Sequence, residues 1–87
     1  MKILVLCGNG LGSSFMMELN VKKVLKELGK EAEVNHTDLT TAKTMSADIF
    51  IGAKDIMDNF KREGAKLIGL ENIVSVKELK EKLEAVL

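Results

Sequence analysis

The octet Cys7-Gly8-Asn9-Gly10-Leu11-Gly12-Ser13-Ser14 joins the chain's one cysteine to three glycines and two serines. Glycines between a strand and a helix let successive backbone N–H groups converge on an anion, and the start of a helix adds partial positive charge behind them. This makes a nest of phosphate size. The same field lowers the pKa of a thiol at its centre, so Cys7 is expected to be a nucleophilic thiolate. It could then attack phosphorus while the backbone of Gly8 to Ser14 and the Ser13 and Ser14 hydroxyls hold the phosphoryl oxygens, giving a phosphocysteine. Many free cysteines are merely small buried hydrophobes. What favours chemistry here is the position of Cys7, directly before the glycine loop and a helix start with two hydroxyls.

Such a site needs a strand to end at Cys7 and a helix to begin just beyond it. Lys2 to Leu6 is a short continuous apolar run, the pattern of a central strand buried on both faces. From Ser14 the period changes. Met17, Val21, Val24, Leu25 and Leu28 fall at helical spacing, with Glu18, Lys22, Lys23, Lys26 and Glu27 on the opposite face. Gly29 stands where a left-handed helix cap is expected, and Ser13 or Ser14 can cap the other end. Glu31 to Thr37 alternates polar residues with Ala32, Val34 and His36, which predicts an edge strand. Asp38 to Ser46 reads as a loop with at most a helical turn, and Asp48 to Ile51 as another buried strand.

A helical segment carrying Ile56, Met57 and Phe60 is expected to stop at Gly64, followed by a fourth strand over Lys66 to Leu70. Ser75-Val76-Lys77-Glu78 is a capping box opening a last helix with Val76, Leu79, Leu83 and Val86 on one face. Strands alternating with helices over short connections predict an α/β fold with a parallel sheet. A central first strand beside an edge second strand gives four strands in the order 2-1-3-4, flanked by helices. That is the flavodoxin-like arrangement shared with low-molecular-weight phosphatases. The ligand then belongs at the carboxyl ends of strands one and three, the rim that carries Cys7 to Ser14 and also Ala53-Lys54-Asp55.

With 87 residues the chain suits a single domain spanning 1–87. Thirteen basic and thirteen acidic residues cancel, which removes any global electrostatic case for nucleic acid. The absence of Trp and Tyr removes a base-stacking platform. One cysteine forms no internal disulfide, and the apolar run at the start is too short for a signal peptide or a membrane span, so the expected location is cytoplasmic without direct membrane insertion.

Other glycine-loop chemistries fit less well. A Walker loop needs a lysine before its Ser or Thr, and no Lys or Arg stands between Lys2 and Lys22. Gly8, Gly10 and Ser13 lack the third glycine of a dinucleotide fingerprint. Low-molecular-weight tyrosine phosphatases place an arginine where this chain has Ser13, and with it goes the bidentate clamp on a transferring phosphoryl group. No Asp-Pro segment supplies a general acid for the leaving group. A loop that accepts phosphate yet discharges it poorly to water suits a carrier. A cysteine phosphatase or arsenate reductase-like enzyme, and a non-catalytic regulatory binding module, stay open as other readings.

CGNGLGSS followed by FMM resembles the IIB components of the bacterial phosphoenolpyruvate-dependent sugar phosphotransferase system, most closely the L-ascorbate type within the lactose/ascorbate superfamily. The resemblance runs along nearly the whole chain. It implies that Cys7 takes a phosphoryl group from a phosphohistidine on a IIA protein. It further implies transfer to a sugar entering through a membrane IIC permease, with Gly8, Asn9, Gly10, Leu11, Gly12, Ser13 and Ser14 as the phosphate-binding loop. No metal or organic cofactor is required by this chemistry. Lys54, after a buried strand on the same rim, could offset phosphate charge when a partner docks, or form a solvated pair with Asp55 capping a helix. Phe15 and Met16 could remain exposed beside the loop as partner contacts, or simply pack. His36 could contact the donor, although a surface place on an edge strand is the more ordinary reading.

Overall fold

The computed structural model describes residues 1–7, 11–61 and 63–87, the side chains of residues 7 and 11–14 excepted. Its elements are β1 (Lys2–Cys7), α1 (Leu11–Leu28), β2 (Glu33–Asp38), α2 (Leu39–Ala42), β3 (Ile49–Ala53), α3 (Lys54–Met57), β4 (Lys66–Leu70) and α4 (Val76–Val86). The strands form one parallel four-stranded sheet in the order β2-β1-β3-β4, as the sequence predicts.

Side-chain alternation splits the core into two layers. Ile3 and Val5 of β1 and Ile49 and Ile51 of β3 face α1 and α4, where they meet Met17, Val21, Val24, Leu25, Leu79 and Leu83. Leu4, Leu6 and Phe50 point the other way, onto Ala42, Met57 and Phe60. Every side chain from Ile3 to Leu6 is sealed from solvent, which is why the run carries no polar residue. Helix α1 ends as expected. Gly29, at φ +70°, donates to the Lys26 carbonyl at 3.2 Å, and Lys30 N–H reaches the Leu25 carbonyl at 2.9 Å, a complete Schellman turn.

Element ends differ from the sequence reading in several places, β3 for instance running Ile49–Ala53 rather than Asp48 to Ile51. Strand β2 begins at Glu33 rather than Glu31, because it has β1 as its neighbour and starts where the Glu33 N–H can reach the Met1 carbonyl at 2.9 Å. Helix α3 stops at Met57, well short of Gly64. Its bonding tightens there from Asp58 N–H on the Lys54 carbonyl to Asn59 on Ile56 and Phe60 on Met57, turning Phe60 in beneath the sheet. At α4 the Ser75 hydroxyl accepts from the Glu78 N–H at 3.2 Å, but the Glu78 carboxylate does not return to Ser75. It instead accepts from the N–H groups of Glu71 at 2.8 Å and Asn72 at 2.9 Å, and pairs with Lys82 at 2.9 Å. The capping box is therefore half made, and its acid ties down the β4–α4 loop.

Those contacts lower the Glu78 pKa to about 2, with the Lys82 hydrogen bond the largest cause and the two backbone N–H groups next. A carboxyl that is more acidic folded than unfolded stabilises the fold above its unfolded pKa and loses that contribution as pH falls through the folded value. Denaturant titrations from about pH 5 down to about pH 2 should show a decline that Glu78→Gln flattens. An unchanged pH profile in the variant would remove Glu78 from the account.

Candidate functional site

The rim is built by strand ends at one level. Cys7 is the last residue of β1 and stands opposite Asp38, the last of β2, while Ala53 ends β3 opposite Leu70 of β4. The backbone of Leu11, Gly12, Ser13 and Ser14 forms the first turn of the 18-residue helix α1. The first four N–H groups of a helix have no intrahelical acceptor, so this end of α1 offers donors and the positive end of its dipole directly after the glycine loop. The start at Leu11 also corrects the expected cap: Ser13 and Ser14 lie inside the first turn rather than at the N-cap. Gly8, Asn9 and Gly10, with the side chains of Cys7, Leu11, Ser13 and Ser14, lie outside the described residues.

Two neighbours at the rim escaped sequence reasoning. Asp38 stands level with Cys7 and precedes α2. The Thr41 hydroxyl lowers its pKa most, and backbone N–H groups and Thr37 add to it against an opposing desolvation, so a negative charge borders the site. The run Asp38-Leu39-Thr40-Thr41 after a strand was the available signal. Glu18, assigned to the solvent face of the helix, is buried instead, and its Oε1 lies 2.8 Å from His36 Nδ1. Helical periodicity gave no sign of it, because the partner comes from β2.

Lys54 is exposed as the first residue of α3, and Asp55 follows it in the first turn. Asp55 does not cap the helix, since Ala53 occupies the N-cap without a side-chain bond. Phe15 and Met16 are each about half exposed, whereas Met17 is buried. Among the described residues no group of three His, Cys, Asp or Glu could hold a metal ion, and no helix is long and apolar enough to cross a membrane.

Close packing sets the rim's shape at Gly52, between β1 and α3. A Cβ there would lie 3.1 Å from Met57 Sδ and 3.2 Å from the Leu6 carbonyl oxygen. The thioether can swing aside, but the backbone that leads into Cys7 cannot do so without moving the strand. Gly52→Ala is expected to cost about 1–3 kcal/mol of stability in chemical denaturation. A neutral result would mean that β1 and α3 separate freely at this end.

Comparison with known proteins places this geometry. The family model described as PTS system, lactose/cellobiose specific IIB subunit, matches residues 2–85. The Ascorbate-specific PTS system EIIB component of Mycoplasma pneumoniae is 36% identical, with 98% of this chain and 93% of that protein aligned. The protein of the same description from Salmonella typhimurium is 32% identical over 85% of this chain and 76% of its own length. Among solved structures, the lactose-specific IIB component domain from Streptococcus pneumoniae superposes with a TM-score of 0.68, covering 99% of this chain and 93% of that one at 17% identity.

Proposed function

The chain belongs to the lactose/cellobiose-specific IIB family of the sugar phosphotransferase system, and from that membership we propose that it is a cytoplasmic phosphoryl carrier whose nucleophile is Cys7. The Cys7 thiolate attacks the phosphorus of a phosphohistidine on a IIA protein. The S–P bond forms as the P–N bond breaks, and the departing ring nitrogen takes up a proton, balancing the one the thiol gave up. A sugar hydroxyl delivered by a membrane IIC protein then attacks phosphorus. The S–P bond breaks, the electron pair returns to sulfur, and the hydroxyl proton passes to solvent. The backbone of Gly8 to Ser14 and the Ser13 and Ser14 hydroxyls hold the phosphoryl oxygens in both steps. Lys54 offsets phosphate charge while the partner is docked.

The observation that carries this reading is the end of β1 at Cys7 with α1 starting at Leu11. A nucleophile at that strand end stands just ahead of the free N–H groups and the positive dipole end of a long helix. Ser13 in place of an arginine favours retention over hydrolysis. L-Ascorbate is the proposed sugar, on the strength of the relatives' descriptions. The test is a chase. Radiolabelled phosphoprotein, isolated and mixed with vesicles bearing an ascorbate-type IIC, should pass its label to L-ascorbate and hold it when the sugar is withheld. Equal loss to water with and without sugar would favour a phosphatase and sink the carrier.

A further inference from the structure

Glu18 is the buried charged side chain among the described residues, lying in the α1 layer otherwise occupied by Met17, Val21 and Val24. Taking a carboxylate out of water is costly, and a pairing partner rarely does more than offset that cost, so an apolar residue would serve folding as well. What the carboxylate does is hold a ring. An ionised carboxylate only accepts hydrogen bonds, so His36 Nδ1–H donates to Glu18 Oε1 at 2.8 Å, while Lys22 Nζ stands 3.6 Å from Oε2. Nε2 is left as the ring's unused hydrogen-bonding position among the described residues. The ring, 45% exposed, meets the Phe15 ring nearly edge-on, with centroids 6.3 Å apart at 71°.

Phe15, Met16 and Leu19 are 51%, 50% and 48% exposed. They sit at i, i+1 and i+4 on the early turns of α1, which makes one apolar stripe beside the imidazole. We propose that Phe15, Met16, Leu19 and the Glu18-held His36 ring form the surface on which the phosphoryl-donating protein docks, with Glu18 as a positioning residue. The proposal rests on the carrier reading, and the occupant follows from its chemistry. Direct transfer between two proteins brings the donor nitrogen and Cys7 to about 3–3.5 Å, so the donor's body must cover the rim. A standard interface takes about 800 Å² from each partner, a disc of about 16 Å radius. Phe15 and Leu19 lie about 6 and 12 Å along α1 from its first residue, inside that footprint. Lys22 is taken up by Glu18, and Asp38 puts a negative charge at the rim, so among the described residues exposed Lys23 beside the patch is the cation left to meet a phosphorylated partner, and the geometry of transfer is what selects the occupant.

His36 is the chain's one histidine, so its imidazole resonance is unambiguous when only this protein is isotopically labelled. Purified, unphosphorylated ascorbate-type IIA is titrated into labelled Cys7→Ser protein, which removes the chemistry and leaves the docking. The His36 resonance and the Phe15, Met16 and Leu19 amides should shift together. Leu19→Glu should weaken binding about tenfold or more, and Glu18→Ala, which removes the ring's acceptor and leaves the ring, about threefold with a moved His36 resonance in the free protein. Lys30→Glu, beyond the far end of α1, should leave affinity unchanged. In protein with Cys7 intact, phosphorylation of Leu19→Glu at undiminished kcat/KM would overturn the docking surface and leave the carrier standing. Binding at the patch without any phosphorylation of Cys7 would keep the surface and sink the carrier. Self-association through the patch with no response to IIA, or neither binding nor phosphorylation, would overturn the proposal.

Discussion

Replacing Cys7 with serine is expected to reduce phosphoryl acceptance from a phosphorylated IIA protein by at least about a thousandfold while leaving the fold intact. A serine hydroxyl is almost wholly protonated at neutral pH, and a helix terminus with a few backbone N–H groups stabilises an anion far too little to ionise it. With Cys7 as the proposed acceptor, loss of its sulfur removes the nucleophile rather than weakening a contact. Structurally the change is small: serine differs from cysteine by one atom, and Cys7 is the last residue of β1, after the sealed run Ile3 to Leu6. Circular dichroism and denaturant midpoints near wild type, beside absent transfer, would separate chemistry from folding. A Cys7→Ser protein that still accepted the label at a comparable rate would remove Cys7 from the mechanism.

The largest loss of stability is expected at Phe50. Its ring is fully buried in β3 and lies 4.9 Å from the Phe60 ring at a 49° tilt, in the smaller core layer with Leu4, Leu6, Ala42 and Met57. The two helices covering this face, α2 and α3, have four residues each and cannot collapse far into a void. Phe50→Ala should therefore cost about 3–5 kcal/mol. That is a large share of the about 4–13 kcal/mol expected for a domain of this length. Denaturant unfolding measures it, and hydrogen exchange should show α3 and the Lys54 corner of the rim opening first. A loss under about 1 kcal/mol would mean that this face is loosely packed.

The pattern of burial made the fold readable. An apolar run without alternation marked β1 as central, and the mixed run with His36 marked β2 as an edge. Those two inferences put β2 at the edge beside β1, and the preference for sequential strands to be neighbours then gives the order β2-β1-β3-β4 that is observed. Gly29 was legible because only glycine sits easily at positive φ after a helix. The length of α3 was not, because Ile56, Met57 and Phe60 satisfy helical spacing equally well when Phe60 reaches the core through a tightened turn. Nor was the role of Glu78, whose capping-box spacing is right although its carboxylate serves Glu71, Asn72 and Lys82. Of the site, the cysteine and glycine loop were visible as residue types. Asp38 level with Cys7 and Glu18 beneath His36 needed strand register and a cross-element contact, which no local period encodes.

The most direct measurement is the intact mass of the protein at neutral pH after incubation with phosphoenolpyruvate, the general phosphotransferase proteins and an ascorbate-type IIA, followed by peptide mapping. The account predicts one added phosphoryl group on the peptide containing Cys7 and none in the Cys7→Ser protein. An adduct on the peptide containing His36, or an unmodified protein with free phosphate accumulating only when Cys7 is present, would contradict it.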